Sequence, residues 1–162
     1  MKKRFLLAIV ALLAFVSCQK QDIIYDIYPV VFVFEVTDAK GDNLFDESTP
    51  GNWLQQPFSA TFDGKEFLWP PVQTKEYLAT LFGFYIYPKS YTKSDVVFLR
   101  FGELDGAKDW DTDLIISWPD GSQDIIRVKH TCRYSLFGEP KTHTKFKLNG
   151  EPVDGGLIRL KK

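Results

Sequence analysis

No stretch of this chain is apolar for long enough to cross a bilayer as a helix. The longest apolar run, Phe5 to Val16 in the sequence FLLAIVALLAFV, has 12 residues. At about 1.5 Å per residue it covers about 18 Å, whereas a spanning helix needs about 20 residues. Cysteine and histidine are scarce, with two of each, and their spacing matches no zinc motif. No Gly-x-Ser-x-Gly elbow, phosphate loop, His-Glu-x-x-His helix or dinucleotide fingerprint occurs, so none of those chemistries has its usual residues. An amphipathic helix of useful length and an internal repeat are both missing. Basic excess is missing too: once Lys2, Lys3 and Arg4 are set aside, 17 of the 20 Lys and Arg face 21 Asp and Glu, a net charge of −4. Nucleic-acid binding needs a basic footprint and is not expected.

What the amino terminus does contain is a positive cluster, Met1-Lys2-Lys3-Arg4, followed at once by the apolar run. A charged region and then a short hydrophobic region is the layout of a secretory signal. The run closes as Ala14-Phe15-Val16-Ser17-Cys18, with a small residue directly before a cysteine. This ending resembles the lipobox of bacterial lipoproteins. The resemblance implies that residues 1–17 are a cleaved signal peptide and that Cys18 becomes the acylated first residue. Phe15 stands where Leu is usual in the motif. One acyl chain binds a membrane only marginally, and two suffice for stable attachment, so a Cys18 carrying two or three chains would hold the domain at a membrane. Should the lipobox reading fail, a Cys18–Cys132 disulfide is the alternative.

Gln19 to Ile27 carries little pattern, and residues 18–28 read as a lipidated end and tether. Gln19-Lys20-Gln21-Asp22 partly resembles the export signals of surface lipoproteins in the Bacteroidota, with a plain polar spacer as the competing reading. Residues 29–162 read as one domain, within the usual size range. The chain's 14 Phe, 7 Tyr and 4 Trp favour β-structure, supply a large core and exclude disorder.

Strand signals dominate that region. Pro29 to Val36 is apolar on both faces until Glu35 and reads as a central strand, ended by the turn formers Asp38 to Asn43. Asn43 to Trp53 reads as an ordered loop with a tight Pro50-Gly51 turn. Phe58–Phe62 and Lys65–Trp69 flank Asp63-Gly64, a strong hairpin signal because that turn requires positive φ. Pro70-Pro71 stops the second strand. Tyr77–Tyr87 and Asp95–Phe101 are further strand-like runs. Asp113–Trp118 and Gln123–Val128 flank Pro119-Asp120-Gly121-Ser122, and Lys145–Leu148 and Glu151–Val153 flank Asn149-Gly150. Leu157–Leu160 closes the series. Eight or nine short strands with turns at this spacing predict an all-β, antiparallel β-sandwich. The pattern resembles immunoglobulin-like and transthyretin-like modules.

Among candidate sites, Asp109-x-Asp111-x-Asp113, with Asp105 nearby, can converge on one side and offer oxygens to a structural Ca²⁺. The EF-hand glycine and bidentate Glu are missing, and a solvated loop competes; the Asp38–Asp46 loop has the same status. His130 and Cys132 share a strand face, but contact and an orienting third group, both needed by a nucleophile, are not suggested. Cys132 reads as a buried, unreactive thiol, His130 and His143 as surface residues, and a zinc site with His143 only if its strand is adjacent. Trp53 and Trp110, in loops, are candidates for stacking on a glycan; Trp118, in a strand, reads as core.

The lipobox-like Val16-Ser17-Cys18, the turn Asp38-Ala39-Lys40-Gly41-Asp42-Asn43-Leu44 after the first strand and the Trp118-Pro119-Asp120-Gly121 hairpin together resemble small single-domain lipoproteins of the Bacteroidota. The resemblance implies a β-sandwich at the outer membrane and names no ligand. The expected function is a non-catalytic binding or interaction module for a glycan or an envelope protein. The alternatives are a structural accessory subunit of an envelope complex and a hydrolytic enzyme. Periplasmic and surface faces are both open.

Overall fold

The structure is a computed structural model that describes residues 25–71, 83–86, 96–136 and 138–162. Residues 1–24, and with them the leader, Cys18 and most of the tether, lie outside the described residues, as do Asp95 and most of the Tyr77–Tyr87 run.

The described residues form strands β1 (Val30–Thr37), β2 (Phe58–Phe62), β3 (Lys65–Trp69), β4 (Phe84–Ile86), β5 (Leu99–Leu104), β6 (Trp110–Ser117), β7 (Gln123–Tyr134), β8 (Pro140–Leu148), β9 (Glu151–Val153) and β10 (Leu157–Lys161), with no helix among them. Two sheets result, ordered β10-β1-β5-β4 and β3-β2-β6-β7-β8-β9. All ladders are antiparallel except β1 with β10, which run parallel. The expected all-β sandwich is what the chain forms.

Alternation explains the layering. In β1 the residues Val30, Phe32, Phe34 and Val36 are buried while Val31, Val33, Glu35 and Thr37 are half-exposed. Successive side chains of a strand face opposite ways, so one parity fills the space between the sheets. β2, β6 and β7 answer with Phe58, Ala60, Phe62, Leu114, Ile116, Ile126 and Val128. Phe32 sits at the middle, with ring centroids 5.2–6.4 Å from Phe34, Phe62, Phe101 and Phe146. The expected core strand is therefore central in its sheet, but its second face is only half-covered.

The turns are where their residues place them. Asp63 and Asn149 take positive φ (48° and 49°) ahead of Gly64 and Gly150, so both two-residue hairpins close with the backbone twist that antiparallel strands need. Thr49 O accepts from Asn52 N at 3.1 Å, closing the Pro50-Gly51 turn. The loop from Leu44 to Trp53 folds back on the core and buries Phe45.

Two ends of the sandwich matter below. At the entry end, Val30 pairs with Leu104 and the Tyr28 carbonyl passes over Gly106. A Cβ on Gly106 would lie 2.1 Å from that oxygen, so only glycine admits the crossing. At the far end, Lys162 N donates to Thr37 O at 2.8 Å, and the β6–β7 and β8–β9 turns meet.

A candidate interaction surface on the outer face of the larger sheet

β7 buries Asp124, Ile126, Val128, His130 and Cys132, so its other parity faces outward. In register, Arg127 lies opposite Lys147, Lys129 opposite Lys145, Thr131 opposite His143, and Arg133 opposite Lys141. Three cation pairs thus stand directly across one ladder, an arrangement that destabilises a sheet unless the charge is compensated. Compensation is partial. Arg127 Nη2 lies 2.8 Å from Asp111 Oδ1 and its Nη1 3.2 Å from Asp113 Oδ1. Arg133 Nη1 lies 2.7 Å from Asp109 Oδ2. Lys129, Lys141, Lys145 and Lys147 have no carboxylate within 4 Å among the described residues. They leave an exposed basic strip along β8 and the adjoining part of β7. Alternate residues repeat every 6.5–7 Å or so along a strand, and Lys141 to Lys147 spans about 20 Å.

The three acids expected to converge on Ca²⁺ are on one side, as their spacing suggested, but converge on arginines. Asp109 precedes β6 and acts as a brace. Its Oδ1 accepts from Cys132 N at 2.9 Å and from Arg133 Nη1 at 2.8 Å. The Cys132 amide, then the Arg133 guanidinium, hold its carboxyl below the usual carboxylate range. The charge of Asp111 raises Arg127 above its ordinary value, with Asp111 hydrogen bonding and the charge of Asp113 adding to it. Among the described residues no three acidic, histidine or cysteine side chains group as a metal site. In the Asp38–Asp46 loop, Asp38 Oδ1 accepts from the amides of Lys40 and Asp42 at 2.8 and 2.9 Å, and Asp46 Oδ1 from Ser48 N at 3.0 Å. These carboxylates organise their own turns.

The aromatic candidates are corrected by burial. Trp53 is in a loop, as expected, yet is only 7% exposed, its ring against Phe45 and Trp118. The loop folds inward because the Leu44–Trp53 segment is itself apolar at its ends. Trp110 is not in a loop but opens β6. Its ring packs on Phe62, centroids 5.9 Å apart; Lys108 Nζ lies 4.1 Å from the ring centroid, and Nε1 donates to Asp105 O at 2.9 Å. The Trp53 indole offers no free platform for sugar stacking, whereas the Trp110 ring is half-exposed. Trp118 is core, as expected, but directly follows β6 and is not part of it.

His130 is also corrected. It is 2% exposed because it shares the buried parity of β7. Nδ1 is 2.7 Å from Thr144 Oγ1 and Nε2 is 2.9 Å from Gly106 O, so both ring nitrogens are satisfied. Cys132 is a free, buried thiol, as expected. His143 is exposed and its strand is adjacent, but it pairs with Thr131. Its parity is opposite to that of His130 and Cys132.

Two shallow depressions lie on the described surface. One, of about 430 Å³, lies over β2, β3 and the end of β6 and is lined by Pro57, Ser59, Glu66, Leu68, Pro70 and Ser117 among others. The other, of about 260 Å³, lies over β1 and β10, between Glu35, Thr37 and Arg159. Neither gathers acids or histidines into a convergent set.

The basic strip was present in the sequence as same-parity cations, Arg127, Lys129 and Arg133 on one run and Lys141, Lys145 and Lys147 on the next. Net negative charge hid it, because a whole-chain sum says nothing about how charge divides between faces. Set against known proteins, the chain matches no family model, no curated protein and no solved structure.

Proposed function

We propose that this chain is a membrane-anchored envelope lipoprotein whose sandwich is a non-catalytic interaction module for an anionic, extended partner, best fitted by an acidic glycan. The observation that carries the partner is the strip of Lys129, Lys141, Lys145 and Lys147 on one ladder with no carboxylate partners among the described residues. Like charges held opposite one another cost stability, and an anionic chain laid along β8 relieves that cost. Protein interfaces have an apolar core inside a polar rim, which this strip lacks. A neutral sugar would stack on a free aromatic face, which the buried Trp53 does not supply.

The anchor rests on the leader and on Ser17-Cys18. Intact mass of the native protein, with membrane partitioning beside Cys18→Ala, tests it: acyl mass that disappears with the cysteine supports the anchor, and an unmodified soluble protein removes it. Retention on an acidic polysaccharide through a salt gradient tests the partner. Lys129→Ala combined with Lys145→Ala should elute at clearly lower salt, and unchanged retention would reject the strip as the site. The accessory-subunit reading keeps one observation of its own. β9 covers only Phe146 to Leu148, so Pro140 to Lys145 of β8 is an open edge among the described residues. Its lysines blunt it against strand addition.

A further inference from the structure

β7 and β8 outrun the sheet they belong to. β6 begins at Trp110, opposite His130, whereas Thr131 to Tyr134 pair only with His143 to Pro140. A two-stranded arm therefore extends four residues past the start of β6, about 13 Å, with Cys132 still covered at its base. Such ribbons are marginal alone. This one is held by Asp109, which accepts from Cys132 N and pairs with Arg133. Its turn closes with Ser135 N donating to Glu139 O at 2.8 Å.

The arm leaves from the entry end. Tyr28 lies over Gly106, and Gly106 O is bound by His130 at the arm's base. Among the described residues, the three most exposed large hydrophobic side chains are Leu136 (102%), Tyr28 (82%) and Tyr134 (60%). Two are on the arm and the third is beside its base. The ten residues from Cys18 to Tyr28 reach at most about 35 Å, so an acylated Cys18 keeps lipid within that distance of this end, the end at which the tether joins the sandwich.

We infer that the arm is a second membrane contact, with Tyr134 and Leu136 entering the phospholipid interface beside the lipid anchor and Tyr28 lying at the same level. The inference rests on the anchor proposed above. Tyrosine suits the interface because its ring is apolar and its hydroxyl is wet. Leucine at a hairpin tip gains only by leaving water. Arg133, already paired with Asp109, and Lys141 flank the turn, and Glu139 is the one acid between them, so the contact depends on apolar insertion more than on lipid charge. Tethering raises the effective concentration of arm and surface, so a weak contact is enough. The two contacts fix the tilt of the sandwich and turn the basic strip sideways, away from the membrane plane.

The test uses the full, acylated protein in phosphatidylethanolamine–phosphatidylglycerol vesicles. An environment-sensitive dye is placed at Leu136→Cys or, at the far end, at Lys40→Cys; Cys132 is buried and Cys18 is acylated, so one thiol reacts. Intact mass reports the acyl group on the same sample. The expected result is a blue-shifted Leu136→Cys dye, quenched several-fold more by headgroup-level quencher lipids than the Lys40→Cys dye. Acyl mass with a Leu136→Cys dye in water overturns the arm contact and leaves the anchor standing. No acyl mass overturns both. A shift that needs added outer-membrane protein and is not seen with lipid alone makes the arm a protein-docking element and overturns the lipid reading. To separate insertion from a folding effect, Tyr134→Ser with Leu136→Ser should keep the thermal midpoint while the tilt, read by protease access to the arm, is lost.

Discussion

Each end of the sandwich is tied by one carboxylate, and the two ties differ in burial. At the far end Asp124 is enclosed. Lys162 Nζ lies 2.5 Å from Oδ2, Trp118 Nε1 donates to Oδ2 at 2.8 Å, and Asn149 Nδ2 donates to Oδ1 at 2.7 Å. At the entry end Asp109 makes comparable contacts in water, with Arg133 and the Cys132 amide. Burial alone would raise the Asp124 carboxyl, but the bonds from Lys162, Asn149 and Trp118 outweigh it and hold it below the usual range. Asp109 is held low as well, by the Cys132 amide first. Similar contacts carry different weight because water screens one pair and not the other. The far end is a lock between three chain segments, and the entry end is a brace on an arm.

The largest expected effect tests the lock. Asp124→Ala leaves Lys162 enclosed without its partner, and should cost about 3–5 kcal/mol in chemical denaturation. A loss under about 1 kcal/mol would show that the cluster is solvated. The same carboxyl sets an acid dependence. Its folded pKa is below the unfolded value of about 3.9, so below that value the unfolded state binds more protons. Stability from Asp124 is present above about pH 4 and lost as pH falls through the folded pKa. Asp124→Asn should flatten that part of the curve in a denaturation series from pH 6 down to 2.

Next in size is Gly106→Ala at the entry end. The new methyl meets the Tyr28 carbonyl, and something must shift, at about 1–3 kcal/mol by analogy with overpacking. Thermal unfolding measures the loss, and faster amide exchange at Val30 would locate it. A smaller effect of opposite sign is expected from Lys145→Glu. Facing Lys129, it turns a like-charge pair into an attractive one, a gain of about 0.2–1 kcal/mol, while retention on acidic polysaccharide falls. Stability and retention changing in the same direction would break the link drawn between the strip and its partner. The smallest global change belongs to Asp109→Asn. The thermal midpoint should hardly move, but amide exchange from Cys132 to Tyr134 should quicken, since local opening reports on local ties. Unchanged exchange there would mean that the arm does not need its brace.

Much of the fold was legible in the residues. The strand runs Val30 to Val36 and Phe58 to Phe62 announce themselves by composition, and Asp63-Gly64 and Asn149-Gly150 announce their hairpins, because both signals depend only on local propensity and sterics. Which face of the first strand turns inward does not show, because both its parities are apolar. The site residues were harder to read. Trp53 and His130 are chemically suited to exposed roles, and only packing shows that both are enclosed. Asp109, Asp111 and Asp113 have a spacing that fits either a cation or a set of arginines, and the arginines that they meet lie 14 to 24 positions away.

Alternation, turn chemistry and aromatic content, all local properties, determined by themselves that this chain is a β-sandwich. Residues 1–18, read as sequence, carry the proposal of export and acylation. Tertiary structure decided which carboxylates meet which cations, that the lysines of β7 and β8 line up on one face, and that the arm and the chain's entry share one end. Those outcomes depend on which strands become neighbours and in what register. A register shift of one residue would send every one of these side chains to the opposite face.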